Sequence, residues 1–144
     1  MALEQQQQRK PQQPRKKGKS SLAILERAYR GSVEDQYGHI VWLSKVMHGM
    51  GAHTAVLLKG DTVFFAKRHQ PAQQLCIGGQ VLDGLSHYET TVRELIAAGV
   101  PVFAYRADCI RYQLCPDCLV EGVRLVDDAA LVELVCAYDC VWYW

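Results

Sequence analysis

The sequence predicts an α/β domain built on a mainly parallel sheet that is covered by helices on both faces. Short apolar runs alternate along the chain with segments whose apolar residues recur every three or four positions. Hairpin signals are few, so we expect helical crossovers rather than tight turns to join the strands. With 144 residues, of which 49% are hydrophobic, the chain contains enough apolar material for the core of one domain.

Charge divides the chain into a basic tail and a mildly acidic body. Residues 1–20 contain six Lys and Arg against a single acidic residue, Glu4, and are rich in Gln. Such a segment cannot bury enough surface to offset the entropy of ordering, so we expect residues 1–20 to be disordered. A basic tail of this kind can contact RNA or another anionic partner. The predicted domain therefore comprises residues 21–144.

The first half of the body predicts two strands and a helix. Residues 22–25 are typical of a short buried strand, and residues 27–31 of a loop. A capping-box pattern at residues 32–35 begins a helix that ends at Gly49 and Gly51. Its inward face is expected to carry Val33, Tyr37, Ile40, Val41, Ser44 and Met47. Residues 54–58 predict a second strand, and residues 63–66 fit either a strand or the start of a helix.

The second half predicts a mobile loop followed by three strands and further helices. Residues 69–84 are rich in Gly and Gln and contain a proline, which favours a loop. The next helix is expected to end at Gly99 and to bury Leu85, Tyr88, Val92, Leu95 and Ile96. Residues 101–105 predict a strand that runs into a short helix near residues 109–114. Two more strands, at residues 123–126 and 141–143, flank a helix that begins at Asp127 and Asp128.

Several classes of protein are excluded or disfavoured. The longest uncharged apolar stretch, residues 95–104, is too short to span a membrane as a helix. The N-terminus has no apolar region typical of a secretory signal, so we expect a cytoplasmic location. Neither the dinucleotide-binding GxGxxG pattern nor the Walker A pattern is present, which disfavours nucleotide binding of those kinds.

Polar residues follow three of the predicted strands, at the edge where ligands bind in parallel α/β sheets. Arg30 lies after the first strand, Lys59 after the second, and Arg106 and Asp108 after the strand at residues 101–105. The carboxyl ends of parallel strands share one edge, so these side chains are expected to lie near one another. The three cations would then hold an anionic sulfur species or the acidic terminus of a partner.

Cys109 is the strongest catalytic candidate at this edge. Asp108 is expected to cap the following short helix, which would place Cys109 in its first turn. The positive end of the helix dipole favours a thiolate there, and Arg106 adds to the field. A thiolate attacks sulfur and carries a persulfide, whereas a neutral thiol does so poorly. The sequence thus predicts an ionised thiol that faces a cationic hollow.

The remaining cysteine pattern has two interpretations. Cys115 and Cys118 form a CxxC motif, which is either a redox pair or one half of a zinc site if the two are not simply ordinary cysteines. Cys109 together with a histidine or Cys76 would complete the zinc ligands. Cys76 is also a candidate for resolving a disulfide with Cys109. No second CxxC at zinc-ribbon spacing is present, so a metal site is not favoured and no cofactor is expected.

Aromatic residues end the chain. Trp142, Tyr143 and Trp144 lie in the last predicted strand or directly after it, and side chains of a strand alternate between its faces. We therefore expect at least one ring to point away from the core of its own chain, unless helices cover both faces of the sheet. An oligomer interface would bury such a ring, and a doubly covered sheet would do so as well.

The second half of the chain resembles a known family. Residues 93–109, which read RELIAAGVPVFAYRADC, and residues 118–126, which read CLVEGVRLV, are similar to the DsrE/DsrF/DsrH family of sulfur-relay proteins. The likeness covers residues 22–144 in the order of its elements. It implies a three-layer α/β/α domain with a five-stranded parallel sheet, and members that assemble as trimers or hexamers.

The resemblance also implies a function. Members pass sulfur as a cysteine persulfide, so the chain is expected to be an intracellular sulfur carrier or sulfurtransferase with Cys109 as the persulfide site. Its expected partners are sulfur donor and acceptor proteins, further copies of itself, or DsrE-family paralogues.

Two alternatives remain open within this resemblance. Tyr105 occupies the cysteine position of single-cysteine members, and residues 102–108 are more similar to DsrH-type subunits, which lack that cysteine. The chain would then be a non-catalytic assembly or docking subunit. The second alternative is a binding protein stabilised by zinc at Cys109, Cys115 and Cys118.

Overall fold

Seven short strands and four α-helices are present in the computed structural model, which describes residues 19–28, 38–72, 74–82 and 87–144. The strands are β1 (Ser20–Leu25), β2 (His53–Leu58), β3 (Leu75–Ile77), β4 (Gln80–Leu82), β5 (Val102–Tyr105), β6 (Arg124–Val126) and β7 (Cys140–Tyr143). The helices are α1 (Gly38–Gly49), α2 (Tyr88–Ala97), α3 (Arg106–Arg111) and α4 (Asp128–Cys136), with 3₁₀ helices at Gly60–Ala66 and Pro116–Cys118.

Five of these strands form one parallel sheet in the order β6-β5-β2-β1-β7. β1 and β2 lie inside the sheet, and their long apolar runs are buried almost completely. Among the described elements, β7 pairs with β1 along one side and forms an edge of the sheet. The prediction of a parallel α/β sheet is confirmed.

Successive residues of a strand point to opposite sides of the sheet, so the apolar strands present side chains on both faces. Helices cover both of these faces. On one face, α1, α2, α3 and the first 3₁₀ helix pack on a large cluster that includes Leu25, Leu58, Phe65 and Leu95. On the other face, Leu131, Leu134 and Val135 of α4 pack against Leu22, Ile24, Ala55 and Leu57. The result is the expected three-layer α/β/α arrangement.

Three local predictions differ from the structure. Residues 69–84 were predicted as a loop, but the antiparallel hairpin β3–β4 lies within them, with Gly78 and Gly79 at positive φ in its turn. Residues 63–66 form neither a strand nor an α-helix; they end the 3₁₀ helix Gly60–Ala66. The short helix after β5 begins at Arg106 rather than near residue 109, because the chain turns directly out of the strand.

Other predictions fall partly outside the described residues. These predictions concern residues 1–18 of the basic tail, the capping box at residues 32–35 and Leu85. β1 begins at Ser20, one residue before the predicted start of the domain. Of the helices within the described ranges, none has the length and apolar character that crossing a membrane requires.

Candidate functional site

The loops that follow β1, β2 and β5 meet at the carboxyl edge of the sheet, as expected. The backbone N–H of Lys59 donates to the carbonyl of Leu25 at 2.8 Å, which joins the ends of β2 and β1. The carboxylate of Asp61 accepts from the N–H of Ala28 at 2.5 Å. The carboxylate of Asp108 accepts from the N–H of Gly60 at 2.6 Å and so connects α3 to the same turn.

Asp108 therefore has a different role from the predicted one. Tyr105 is the residue that precedes the first turn of α3, so Asp108 is the third residue of the helix and not its cap. Its side chain binds the turn after β2 instead of the amides of its own helix. The prediction that Asp108 caps the helix and places Cys109 in its first turn is wrong. A cap at Asp108 would start the helix at Cys109, whereas α3 starts three residues earlier, at Arg106.

Cys109 is sealed into the core. Its side chain is 2% exposed and belongs to the cluster beneath α2 and α3, together with Ala104 and Leu114. Burial raises the pKa of the Cys109 thiol, and the negative charge of Asp108 raises it further, against a smaller opposing effect of Arg106. We expected an ionised thiol that faces solvent. The structure contradicts the exposure, because the side chain is buried, and the raised pKa contradicts the ionisation. What Cys109 retains is its location just after β5.

The two cations described at this edge, Lys59 and Arg106, do not form the expected positively charged hollow. Lys59 Nζ lies 3.8 Å from Glu26 Oε1 and 5.6 Å from the centre of the Tyr105 ring, so its charge is already partnered. Arg106 is exposed to solvent, and Arg30 lies outside the described residues. Carboxylates belong to the same edge, since Asp61 and Asp108 bind the turns there. The described part of the edge thus has mixed charge.

Two tyrosines bind carboxylates at this edge. The Tyr105 hydroxyl donates to Asp128, and the Tyr143 hydroxyl donates to Glu26. Each hydrogen bond to a carboxylate raises the pKa of the tyrosine, because deprotonation would place two negative charges side by side. Both phenols are therefore held in their neutral, donating form. Sequence reasoning missed this pairing, because the partners are distant along the chain.

The CxxC cysteines are joined to each other. A disulfide connects Cys115 to Cys118 in the loop between α3 and β6. Cys76 is exposed and unpaired in β3, and Cys109 is unpaired and buried. Across the described ranges, no three His, Cys, Asp or Glu side chains come together as metal ligands. The zinc alternative at Cys109, Cys115 and Cys118 therefore has no assembled ligand set in the structure.

An apolar groove lies between α1 and the edge strand β7. Its volume is about 270 Å³. Ala23 of β1 forms part of its floor, and Trp142, which pairs with Ala23 across the sheet, forms one wall. The full lining comprises Ser21, Ala23, Ile40, Leu43, Ser44, Met47, Thr54, Ala55, Trp142 and Trp144. We call this feature the β7–α1 groove.

Aromatic side chains are exposed beside the groove. Trp142 and Trp144, which line it, are 50% and 42% exposed. Tyr143, which alternates with them on the strand, is 60% exposed, and Trp42 of α1, which does not line the groove, is 58% exposed. The expectation that at least one ring at the chain terminus points away from the core is confirmed. The groove itself was not predicted, because it arises from the packing of α1 next to a strand about 100 residues later in the chain.

Comparison with known proteins bears on the fold. The chain matches no protein-family model, and no curated protein matches it significantly. Among solved structures, the ychN protein from E. coli is similar with a TM-score of 0.70 and 16% identity, over 88% of this chain and 99% of that one. The protein of unknown function MTH1491 from Methanobacterium thermoautotrophicum is similar with a TM-score of 0.54 and 17% identity, over 87% of this chain and 98% of that one. At these identities the likeness shows a shared fold: the chain adopts the α/β fold of ychN over nearly all of its length.

Proposed function

We propose that this chain is a DsrE-type protein that acts as an assembly and docking subunit, the DsrH-like alternative, rather than as the catalytic member of a sulfur relay. The observation that carries the proposal is the row of exposed aromatic side chains on the edge strand β7, beside the β7–α1 groove. The burial of Cys109 supports it, because a subunit that only binds its partners needs no reactive thiol at the carboxyl edge.

The expected partner at β7 is a second copy of this chain. An edge strand presents unpaired backbone groups to a neighbour, and natural proteins usually protect such edges with charged residues or proline. β7 and the residue after it read CVWYW, which contains no such protection. Tyrosine and tryptophan are the residues most enriched in the energetically dominant parts of interfaces.

The exposed aromatic area at the β7 edge is a substantial part of what an interface of ordinary size buries. A half-exposed aromatic ring offers on the order of 100 Å². Trp142, Tyr143 and Trp144 at the β7 edge together then supply roughly 300 Å² of the 800 Å² or so per partner that a stable interface buries. Leu43, which is 41% exposed, adds to the groove side of this edge, and Val141, which is 42% exposed, adds to the opposite face of β7 together with Tyr143. A second copy that brought its own β7 against this surface would bury both sets at once.

The test is the oligomeric state of the full-length chain, measured by sedimentation velocity over a range of protein concentrations. We expect reversible self-association, and we expect Trp142→Glu to weaken it by roughly 30-fold or more, since a buried charge replaces a central aromatic contact. Ile110→Glu is the matched control, because Ile110 is 70% exposed on α3 and does not line the groove. A wild-type chain that stays monomeric, or equal effects of the two variants, would refute the proposal.

Sulfur carriage at Cys109 is the second candidate. One observation favours it: Cys109 lies on α3 directly after β5, which is where the family resemblance implies a transfer cysteine. The sulfur would become reactive only if α3 moved away from the core, because the side chain is now buried and its pKa raised.

Loading with sulfane sulfur separates the two candidates. We expect the Cys109→Ser chain to take up as much sulfane sulfur as the wild type, measured by intact mass after incubation with a persulfide donor. The reason is that a buried neutral thiol is a poor nucleophile. Cys76→Ser is the control, since that thiol is exposed and unpaired. Loss of loading in Cys109→Ser alone would instead establish Cys109 as the carrier.

A further inference from the structure

The Cys115–Cys118 pair is not used by the proposed docking function, and its surroundings point to a chemistry of its own. We propose that this disulfide is redox-active and exchanges electrons with a partner dithiol by thiol–disulfide exchange. The pair lies on the loop between α3 and β6, in a 3₁₀ turn that Pro116 begins. Three features of the loop carry the proposal.

The first feature is access. Cys115 is exposed and Cys118 is half-buried, so an incoming thiol has better access to Cys115 than to Cys118. Such an asymmetry directs attack to one sulfur, because the exchange rate depends on which sulfur is accessible and which can leave. The exposed face is also bordered by a surface pocket that Pro116 and Asp117 help to line, next to Arg68. A segment of a partner can therefore approach the pair.

The second feature is a backbone scaffold that does not depend on the disulfide. The N–H of Cys118 donates to the carbonyl of Cys115 at 2.9 Å, which closes the turn. The N–H of Arg68 donates to the carbonyl of Cys118 at 2.8 Å, and the N–H of Val120 donates to that of Ala66 at 2.8 Å. Val120 is 2% exposed and anchors the end of the loop in the core. These contacts would keep the two sulfurs adjacent after reduction.

The third feature is the small size of the ring that the disulfide closes. The two cysteines are three positions apart in the sequence, with 5.2 Å between their Cα atoms. A disulfide stabilises a fold mainly by restricting the unfolded chain, and the restriction is smallest for the shortest loops. Structural stapling therefore explains this disulfide poorly. Reversible opening within a folded protein explains it better, since breaking the bond leaves the backbone hydrogen bonds of the loop in place.

The exchange balances in two steps. A thiolate of the partner dithiol attacks Sγ of Cys115 and forms a mixed disulfide, while the Cys115–Cys118 bond breaks and Cys118 leaves as a thiolate that takes up a proton. The second thiol of the partner then loses its proton and attacks the partner's own sulfur in the mixed disulfide, releasing Cys115, which is protonated. Two electrons and two protons pass from the partner to the pair, and the partner ends as a disulfide.

The first experiment titrates the full-length chain against mixtures of reduced and oxidised dithiothreitol. Free thiols are alkylated, and intact mass counts them. We expect Cys115 and Cys118 to be reduced together, with the far-ultraviolet circular dichroism and the thermal midpoint nearly unchanged. A disulfide that opens only when the protein unfolds would overturn the proposal, because it would then be a structural staple.

The second experiment compares the two sulfurs directly in single variants. We expect Cys115 in the Cys118→Ser chain to form a mixed disulfide with oxidised glutathione at least about tenfold faster than Cys118 does in the Cys115→Ser chain. Peptide mass mapping assigns each adduct, and the exposed Cys136 provides an internal rate reference in both chains. Equal rates at the two cysteines would overturn the assignment of Cys115 as the attacked sulfur. If either variant fails to fold, the titration of the unmodified chain still decides the proposal.

Discussion

Replacing Gly60 with alanine is expected to lower the free energy of unfolding by roughly 3 kcal/mol, because strain and lost hydrogen bonds add at one turn. Gly60 has a φ of +55°, a conformation that an alanine adopts only with strain. A Cβ at this position would lie 2.4 Å from the carbonyl oxygen of Glu26, which is backbone and cannot rotate away. The turn after β2 would have to move.

That movement would disturb the contacts that assemble the carboxyl edge. The N–H of Gly60 donates to Asp108, and the preceding N–H of Lys59 donates to Leu25. Urea unfolding of the full-length chain measures the effect. Gly99→Ala is the matched control, because Gly99 also has a positive φ but its added Cβ would meet nothing closer than His48 Nε2 at 3.7 Å. We expect a loss of about 1 kcal/mol there. Equal losses at the two glycines would show that the Glu26 contact is unimportant.

Replacing Glu89 with alanine is expected to cost about 2 kcal/mol at neutral pH, since it removes charge-assisted hydrogen bonds from a site that is largely buried. Glu89 lies in the first turn of α2 and is 8% exposed. Its carboxylate accepts from Arg93 Nη2 at 2.8 Å and Nε at 3.2 Å, and from the backbone N–H of Gln70 at 3.0 Å. The side chain thus connects α2 to the segment before the β3–β4 hairpin.

The same contacts predict how the effect depends on pH. Hydrogen bonds from Arg93 and then from the Gln70 N–H hold the pKa of Glu89 below its ordinary value of 4.5. A carboxyl whose pKa is lower in the folded protein contributes its stabilisation above the unfolded value and loses it as the pH falls. We therefore expect the difference in unfolding free energy between wild type and Glu89→Ala to shrink below pH 4.5.

A carboxylate on the outer face of the same helix provides the control. Glu94 binds Lys45 at 2.6 Å, but both side chains are exposed, at 51% and 39%. Glu94→Ala should change stability by no more than about 0.5 kcal/mol, because solvent screens exposed ion pairs. If the difference in unfolding free energy between wild type and Glu89→Ala did not decline in acid, the hydrogen-bonded carboxylate of Glu89 would not be the source of the lost stability.

The order of the elements follows from patterns that are local in the sequence. The apolar runs at residues 54–58 and 101–105 form β2 and β5 almost as predicted, and the helix that buries Tyr88, Val92 and Leu95 ends before Gly99. Each of these signals depends on residues within one or two turns of each other. The hairpin β3–β4 was missed because glycine and glutamine also suit an irregular loop.

The candidate site was predicted less well, because its properties depend on contacts between distant residues. The sequence indicates correctly that Lys59 and Asp108 follow strands at one edge. It does not reveal that Glu26 partners Lys59, or that Asp108 binds the amide of Gly60. Cys109 was interpreted from its neighbours in the chain, whereas its pKa is raised chiefly by the core that surrounds it.

By itself, the sequence determined the class of the fold, the alternation of strands and helices, and the presence of aromatic residues in a terminal strand. The tertiary structure alone decided that β7 forms an edge beside α1, that Cys109 is sealed, and that Cys115 and Cys118 form an accessible pair. The physical reason is range: local periodicity directs a segment into a helix or strand, but burial, pairing and the pKa of a side chain depend on the segments that pack around it.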